Sequence, residues 1–141
     1  MNFSDLKPLR PTLYRLGEDG HSLIFFHMRC EACGRLNFPA NLPGCGQCGH
    51  ALTDAPAIER QGLGKLLEFV EIHVPLFPGM QVPCITGDIF LAEDIVREGV
   101  IEVPDATVLR EGMALRAIAA PSADGTTFTC RFVPDERGDS P

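Results

Sequence analysis

The sequence holds no tryptophan and one tyrosine, and its bases are few: twelve Lys and Arg stand against nineteen Asp and Glu, a net charge of −7. Binding nucleic acid means replacing counterions on phosphates with Lys and Arg and stacking bases on exposed rings. A chain short of both is not expected to hold nucleic acid. No apolar run approaches the ~18 residues of a membrane-crossing helix, so no membrane partner is expected. Residues 1–10 lack the basic start and apolar stretch of a secretory signal, which predicts a cytoplasmic location. Familiar catalytic signatures are missing too: there is no G-x-S-x-G, P-loop, H-E-x-x-H or dinucleotide fingerprint. No catalytic residue is therefore assigned.

What the chain does have is enough apolar material for a core, with 45% hydrophobic residues, and fourteen Gly with twelve Pro, which favour many turns and short strands over long helices. It also has six cysteines, four of them in two C-x-x-C pairs. In a reducing compartment that spacing reads as metal binding, because two thiolates from one tight turn can meet a single ion. The pairs are Cys30 with Cys33 and Cys45 with Cys48, each followed by a glycine, Gly34 or Gly49, where the turn favours positive φ. Eleven residues separate Cys33 from Cys45, enough for a strand out and a loop back. Four thiolates close a tetrahedral shell and leave no position for water or substrate, so one structural Zn²⁺ per chain is expected. A rubredoxin-type iron site has the same ligands, and a pair of disulfides is the other alternative. His27 and His50 lie nearby, but the four cysteines make the better set.

The fold class read from the pattern is mainly β, in four parts. Residues 1–20 form an N-terminal helical arm, because Leu6, Leu9, Leu13 and Leu16 recur at helical steps, with Pro8 and Pro11 keeping the helix to a turn or two. Residues 21–53 form a rubredoxin-like zinc ribbon with strands over 23–28 and 35–38. Residues 54–134 form a five-stranded barrel of the oligonucleotide/oligosaccharide-binding (OB) type. Its strands are predicted over 64–74, 84–91, 94–103, 113–119 and 126–133, after a polar link over 53–61. Residues 135–141 are a flexible charged tail. The barrel segment carries twelve acids and six bases, so most of the negative charge sits there.

Other reactive groups have plainer readings. Cys84 and Cys130 fall in predicted strands and read as small buried hydrophobes. His73, the one histidine of the barrel half, has no evident place beside either. Glu93 and Asp94 are adjacent carboxylates, which on a strand point to opposite faces, so they read as a solvated turn. Arg110, Arg116 and Arg131 read as surface arginines that can also meet a phosphate or an acidic partner.

The order of motifs resembles the acyl-CoA-associated zinc-ribbon/OB-fold family, small subunits of thiolase-like complexes. The resemblance covers about residues 20–134. It rests on Met28-Arg29-Cys30-Glu31-Ala32-Cys33-Gly34-Arg35, Phe38-Pro39, Cys45-Gly46-Gln47-Cys48-Gly49, Gly62-Leu63-Gly64-Lys65-Leu66, Arg110-Glu111-Gly112-Met113-Ala114-Leu115 and Phe132-Val133-Pro134. Two departures stand out. Gly46 follows the third ligand where the family often has proline, and Ala92-Glu93-Asp94 lacks the family's acidic-then-glycine turn. The resemblance implies a non-catalytic subunit that supports assembly and substrate access of a larger thiolase-like catalytic partner, meeting acyl-CoA through the complex. One such pairing is the two-subunit benzoylsuccinyl-CoA thiolase of anaerobic toluene breakdown, for whose small subunit this chain is a candidate. Residues 6–16, the ribbon and residues 76–82 are candidate contacts with the partner. Two alternatives come from other classes: a nucleic-acid-binding ribbon/OB module, which the acidic barrel disfavours, and a stand-alone acyl-CoA-binding protein.

Overall fold

The structure is a computed structural model that describes residues 3–52 and 56–136. Five strands alternate inward apolar and outward polar residues closely enough to close on themselves. They are β6 (Leu63–Ile72), β7 (Cys84–Ala92), β8 (Ile95–Ile101), β9 (Ala114–Pro121) and β10 (Thr127–Pro134). Around the ring β6 pairs with β7, β7 with β8, β8 with β10, β10 with β9, and β9 with β6. All pairings are antiparallel except β8 with β10, which meet in parallel at Ile101 and Phe132. This closed five-stranded barrel is the one the strand pattern predicts. Leu66, Ile89 and Leu115 are fully buried at its centre. A 3₁₀ turn over Ala106–Val108 crosses between β8 and β9, capped by the Asp105 carboxylate, which accepts from the Thr107 amide at 2.8 Å.

A second sheet is built round β3 (Leu23–Arg29). On one edge β3 pairs with β2 (Tyr14–Leu16) and then with β4 (Leu36–Asn37), and on the other with β5 (Ala57–Gln61). Leu23 and Phe25 of β3 point into the same core as the barrel residues, together with Tyr14 and Phe128. Backbone bonds stitch the sheets: the Gly62 amide donates to Leu23, Ala117 to Gly62, and Ala119 to His21, at 2.9, 2.7 and 2.7 Å. The two sheets therefore share one apolar core.

Three expectations need correction. The helical arm is absent: no α-helix occurs among the described residues. Residues 3–16 run as turns and extended pieces, with β1 (Lys7–Pro8) parallel to β10 and β2 on β3. Pro8 and Pro11 lack the amide donors a helix needs, and turns closed by Leu6 to Phe3 and Leu13 to Arg10 set the three- and four-residue leucine spacing. Leu6, Leu13 and Leu16 still pack on the core, while Leu9 stays 47% exposed. The polar link before the barrel contains a strand, β5, whose side chains are mostly exposed and so show no apolar alternation. Asp135 is not part of a loose tail: it is 6% exposed and its amide donates to Ala114 at 2.9 Å. Residues 53–55 and 137–141 lie outside the described residues.

Close strand contact sets one tight spot. A Cβ on Gly64 would meet the Ile89 side chain at 2.6 Å and the Phe90 carbonyl oxygen at 2.9 Å. Gly64→Ala is expected to lower unfolding free energy by about 1–3 kcal/mol in urea denaturation. Val70→Ala, at a position 60% exposed, should change it by less than about 0.5 kcal/mol.

Candidate metal centre

The two C-x-x-C-G segments fold into the same turn twice. Cys30 donates its amide to the Arg35 carbonyl at 2.8 Å, and Cys45 donates to His50 at 2.8 Å. Gly34 then donates to Cys30 at 2.9 Å, and Gly49 to Cys45 at 3.0 Å. The glycines sit at φ +80° and +78°, which only glycine adopts without strain. One turn leaves the end of β3; the other is closed by an isolated bridge between Gly44 and Ala51.

The turns face each other and bring four sulfurs within 4.8 Å of one another. Cys30 and Cys48 approach to 3.6 Å, as do Cys33 and Cys45. Sulfurs on a tetrahedral ion with metal–sulfur bonds of about 2.3 Å stand about 3.8 Å apart. A disulfide would need about 2.05 Å, and all six cysteines are free. The set thus fits one tetrahedral ion with four thiolates, a geometry and softness suited to zinc or iron. When bound, the ion would serve as a closed structural tie, with no open coordination position for chemistry.

Electrostatics at the site follow from crowding thiols beside oriented amides. The amides of Cys48 and Gln47 hold the Cys45 thiol down at about 6. The Cys33 amide lowers Cys30 in the same way. Cys33 moves up, to about 11: the Arg35 amide favours its thiolate, but burial and the thiols of Cys45, Cys48 and Cys30 outweigh it. Four thiolates are not held together without a cation between them, and a divalent ion removes that conflict.

Asn37, which sequence reasoning passed over, ties the turns together. It is 4% exposed. Its Nδ2 donates to the Arg35 carbonyl at 3.1 Å and lies 3.6 Å from the Cys45 sulfur, while its Oδ1 accepts from the Gly46 amide at 3.0 Å. The only sequence signal is a polar residue between Leu36 and Phe38 in a strand that leads from one cysteine pair toward the other. Around the sulfurs, Met28 and Leu52 are the buried apolar residues, with Ala40 and Leu42 packed at the side.

Arg29 links this centre to the barrel. Its guanidinium donates to the Gly34 carbonyl at 2.7 Å and to both Glu93 carboxylate oxygens at 3.1 Å. Glu93 and Asp94 form the tight β7–β8 turn with φ of 42° and 73°, so the expected solvated turn holds, with Glu93 ion-paired.

The remaining sequence candidates separate. His50 is exposed and contributes a carbonyl, not a ligand. His27 is buried and stacks on Phe38 with ring centroids 4.9 Å apart. Cys130 packs against the main core, and burial drives its thiol up to about 12; it is a poor nucleophile at neutral pH. Cys84 opens β7 opposite Ile72. His73 is exposed and 3.1 Å from Glu71. Arg116 and Arg131 share the outer face of β9 and β10 on neighbouring register positions. No described helix is long and apolar enough to cross a membrane.

The purified chain is expected to hold about one equivalent of metal by elemental analysis. Cys30→Ser or Cys48→Ser should cut this to well under half, and Asn37→Ala should weaken retention against a competing chelator by about 10–100-fold. Glu31→Ala, exposed between two ligands, should leave retention unchanged.

No family model matches the sequence. No curated protein matches it either. Among solved structures, a chain described as "Ltp2-ChsH2(DUF35) aldolase" is similar, with a TM-score of 0.62 and 24% identity over 78% of this chain and 84% of that one. At that identity the likeness is one of fold: this chain is built like a chain of a DUF35 aldolase structure.

Proposed function

We propose that this chain is a non-catalytic, zinc-bearing subunit of a hetero-oligomeric enzyme acting on acyl-CoA, with the catalytic residues on a larger thiolase-like partner. The observation that carries this reading is the shared fold with a chain from a structure described as "Ltp2-ChsH2(DUF35) aldolase". The closed sulfur cage supports it, because such a cage shapes a surface and performs no chemistry. Cys130, half-buried against the core with its thiol pushed up to about 12 by desolvation, supports it as well. The motif resemblance adds the acyl-CoA and thiolase elements, and at its finest the small subunit of a benzoylsuccinyl-CoA thiolase in aromatic acyl-CoA breakdown. A second reading replaces the thiolase by an aldolase partner, because the structural neighbour carries that word in its description. Both readings keep the same role for this chain.

The loop between β6 and β7 is the proposed docking element. Val74, Leu76 and Phe77 are 70%, 73% and 60% exposed, on a segment stiffened by Pro75, Pro78 and Pro83. Exposed apolar side chains on a short proline-rich loop lose little entropy when a partner covers them.

Co-expressed with a thiolase-like partner, the chain is expected to co-purify in fixed ratio and to show no thiolase activity alone. Leu76→Asp with Phe77→Asp should abolish co-purification while leaving the circular dichroism of the isolated chain unchanged. A monodisperse monomer that ignores both thiolase and aldolase partners would remove the proposal.

A further inference from the structure

Two adjoining clefts, of about 310 and 270 Å³, lie where the β3 sheet meets the barrel, and they share the walls Phe25 and Leu91. Their combined size falls in the range of small-molecule sites, which form where sheets or domains meet. The first is also lined by His27, Arg60 and Gln61, the second by Arg10, Phe38 and Arg97.

Their polar groups are unspent. His27 is 2% exposed, and neither ring nitrogen makes a hydrogen bond of normal geometry, the nearby Phe25 backbone giving the ring only a weak contact. Burial lowers the pKa of the ring and so favours its neutral form, which presents one donor and one acceptor. Buried polar atoms in native structures nearly always have partners, so an orphaned pair lining a cleft points to a ligand. The bases are equally available. Arg15 is paired with Glu59 and Arg29 with Glu93, whereas Arg10, Arg60 and Arg97 have no ion pair among the described residues. Glu93, which feels Arg60, is already bridged to Arg29. Arg97 rests 5.3 Å from the centre of the Phe38 ring, and Glu98 is the one acid on the lining. In a chain of net charge −7, three bases without carboxylate partners, Arg60 on the first cleft and Arg10 and Arg97 on the second, form a local region of opposite sign.

We propose that this double cleft binds a small organic anion with a planar, largely apolar body. The anionic group, carboxylate or phosphate, meets the guanidiniums of Arg10 and Arg97 on the second cleft, with Arg60 adding positive charge from the first. The planar body lies against Phe25, Phe38 and Leu91. His27 supplies the hydrogen bond that orients it. The site belongs to this chain alone and needs no partner subunit, so its test is independent of the subunit role proposed above.

The test uses the full metal-loaded chain titrated with adenosine monophosphate, with benzoate and with inorganic phosphate, followed by calorimetry and by the nitrogen signals of the His27 ring. Saturable binding of one of the two ring-bearing probes, with a shift of the His27 signals, is expected; which probe binds tells phosphate from carboxylate. Arg97→Ala and, separately, Arg10→Ala should weaken it at least about tenfold, as loss of a charge-assisted contact does. Both residues are exposed, so both variants should fold. Binding of inorganic phosphate as strong as that of the ring-bearing probes would overturn the proposal. So would an unmoved His27 signal at saturation, or unchanged affinity in both variants.

Discussion

Four sulfurs converging within 4.8 Å are the constraint on which the N-terminal part of this chain depends. Residues 30–50 hold few apolar side chains, and their own cluster centres on Met28 and Leu52. Such a segment does not bury enough surface to offset the entropy of ordering it. A bound metal, contributing about 10–16 kcal/mol as in zinc-finger peptides, would make up the difference. The order passes on through β3, whose far end carries the cysteine turn and whose near end delivers Leu23 and Phe25 to the main core. Arg29 repeats the link at the surface by holding the Gly34 carbonyl and Glu93 together. That exposed pair is screened by solvent, contributes little energy and acts mainly as a register mark.

The barrel needs no such aid. Its strands close on themselves, leave no free edge in the ring, and fill the inside with Leu66, Ile89, Leu115 and Phe128. Outside the core the barrel segment carries most of the chain's negative charge, and two surface features stand out. One is the apolar β6–β7 loop, and the other is the cleft rimmed by unpaired arginines. An exposed apolar loop and a closed cluster of four sulfurs are the two features on which the proposed accessory role rests.

The cluster of four cysteines was legible because thiolate chemistry imposes spacing: two residues between cysteines and a glycine after each pair. The barrel strands were legible because one face is buried and the other is wet. The arm was misread because leucines at three- and four-residue steps are shared by helices and by short extended pieces separated by turns; the two prolines held the deciding information. Strand β5 was hidden because Ile58 alone is half-buried among exposed neighbours. Asn37 and the cleft were invisible for a different reason. Asn37 matters through the partners it reaches, and the cleft gathers Arg10, His27, Arg60 and Arg97 from four separate segments that only the tertiary fold brings together.

Amide hydrogen exchange of the metal-loaded and chelator-treated chain tests the central dependence most directly. The amides of Cys30, Gly34, Cys45 and Gly49 should be protected with metal and exchange freely once it is removed, while those of Leu66 and Leu115 remain slow. Protection of the four turn amides that survives full removal of the metal would contradict the account.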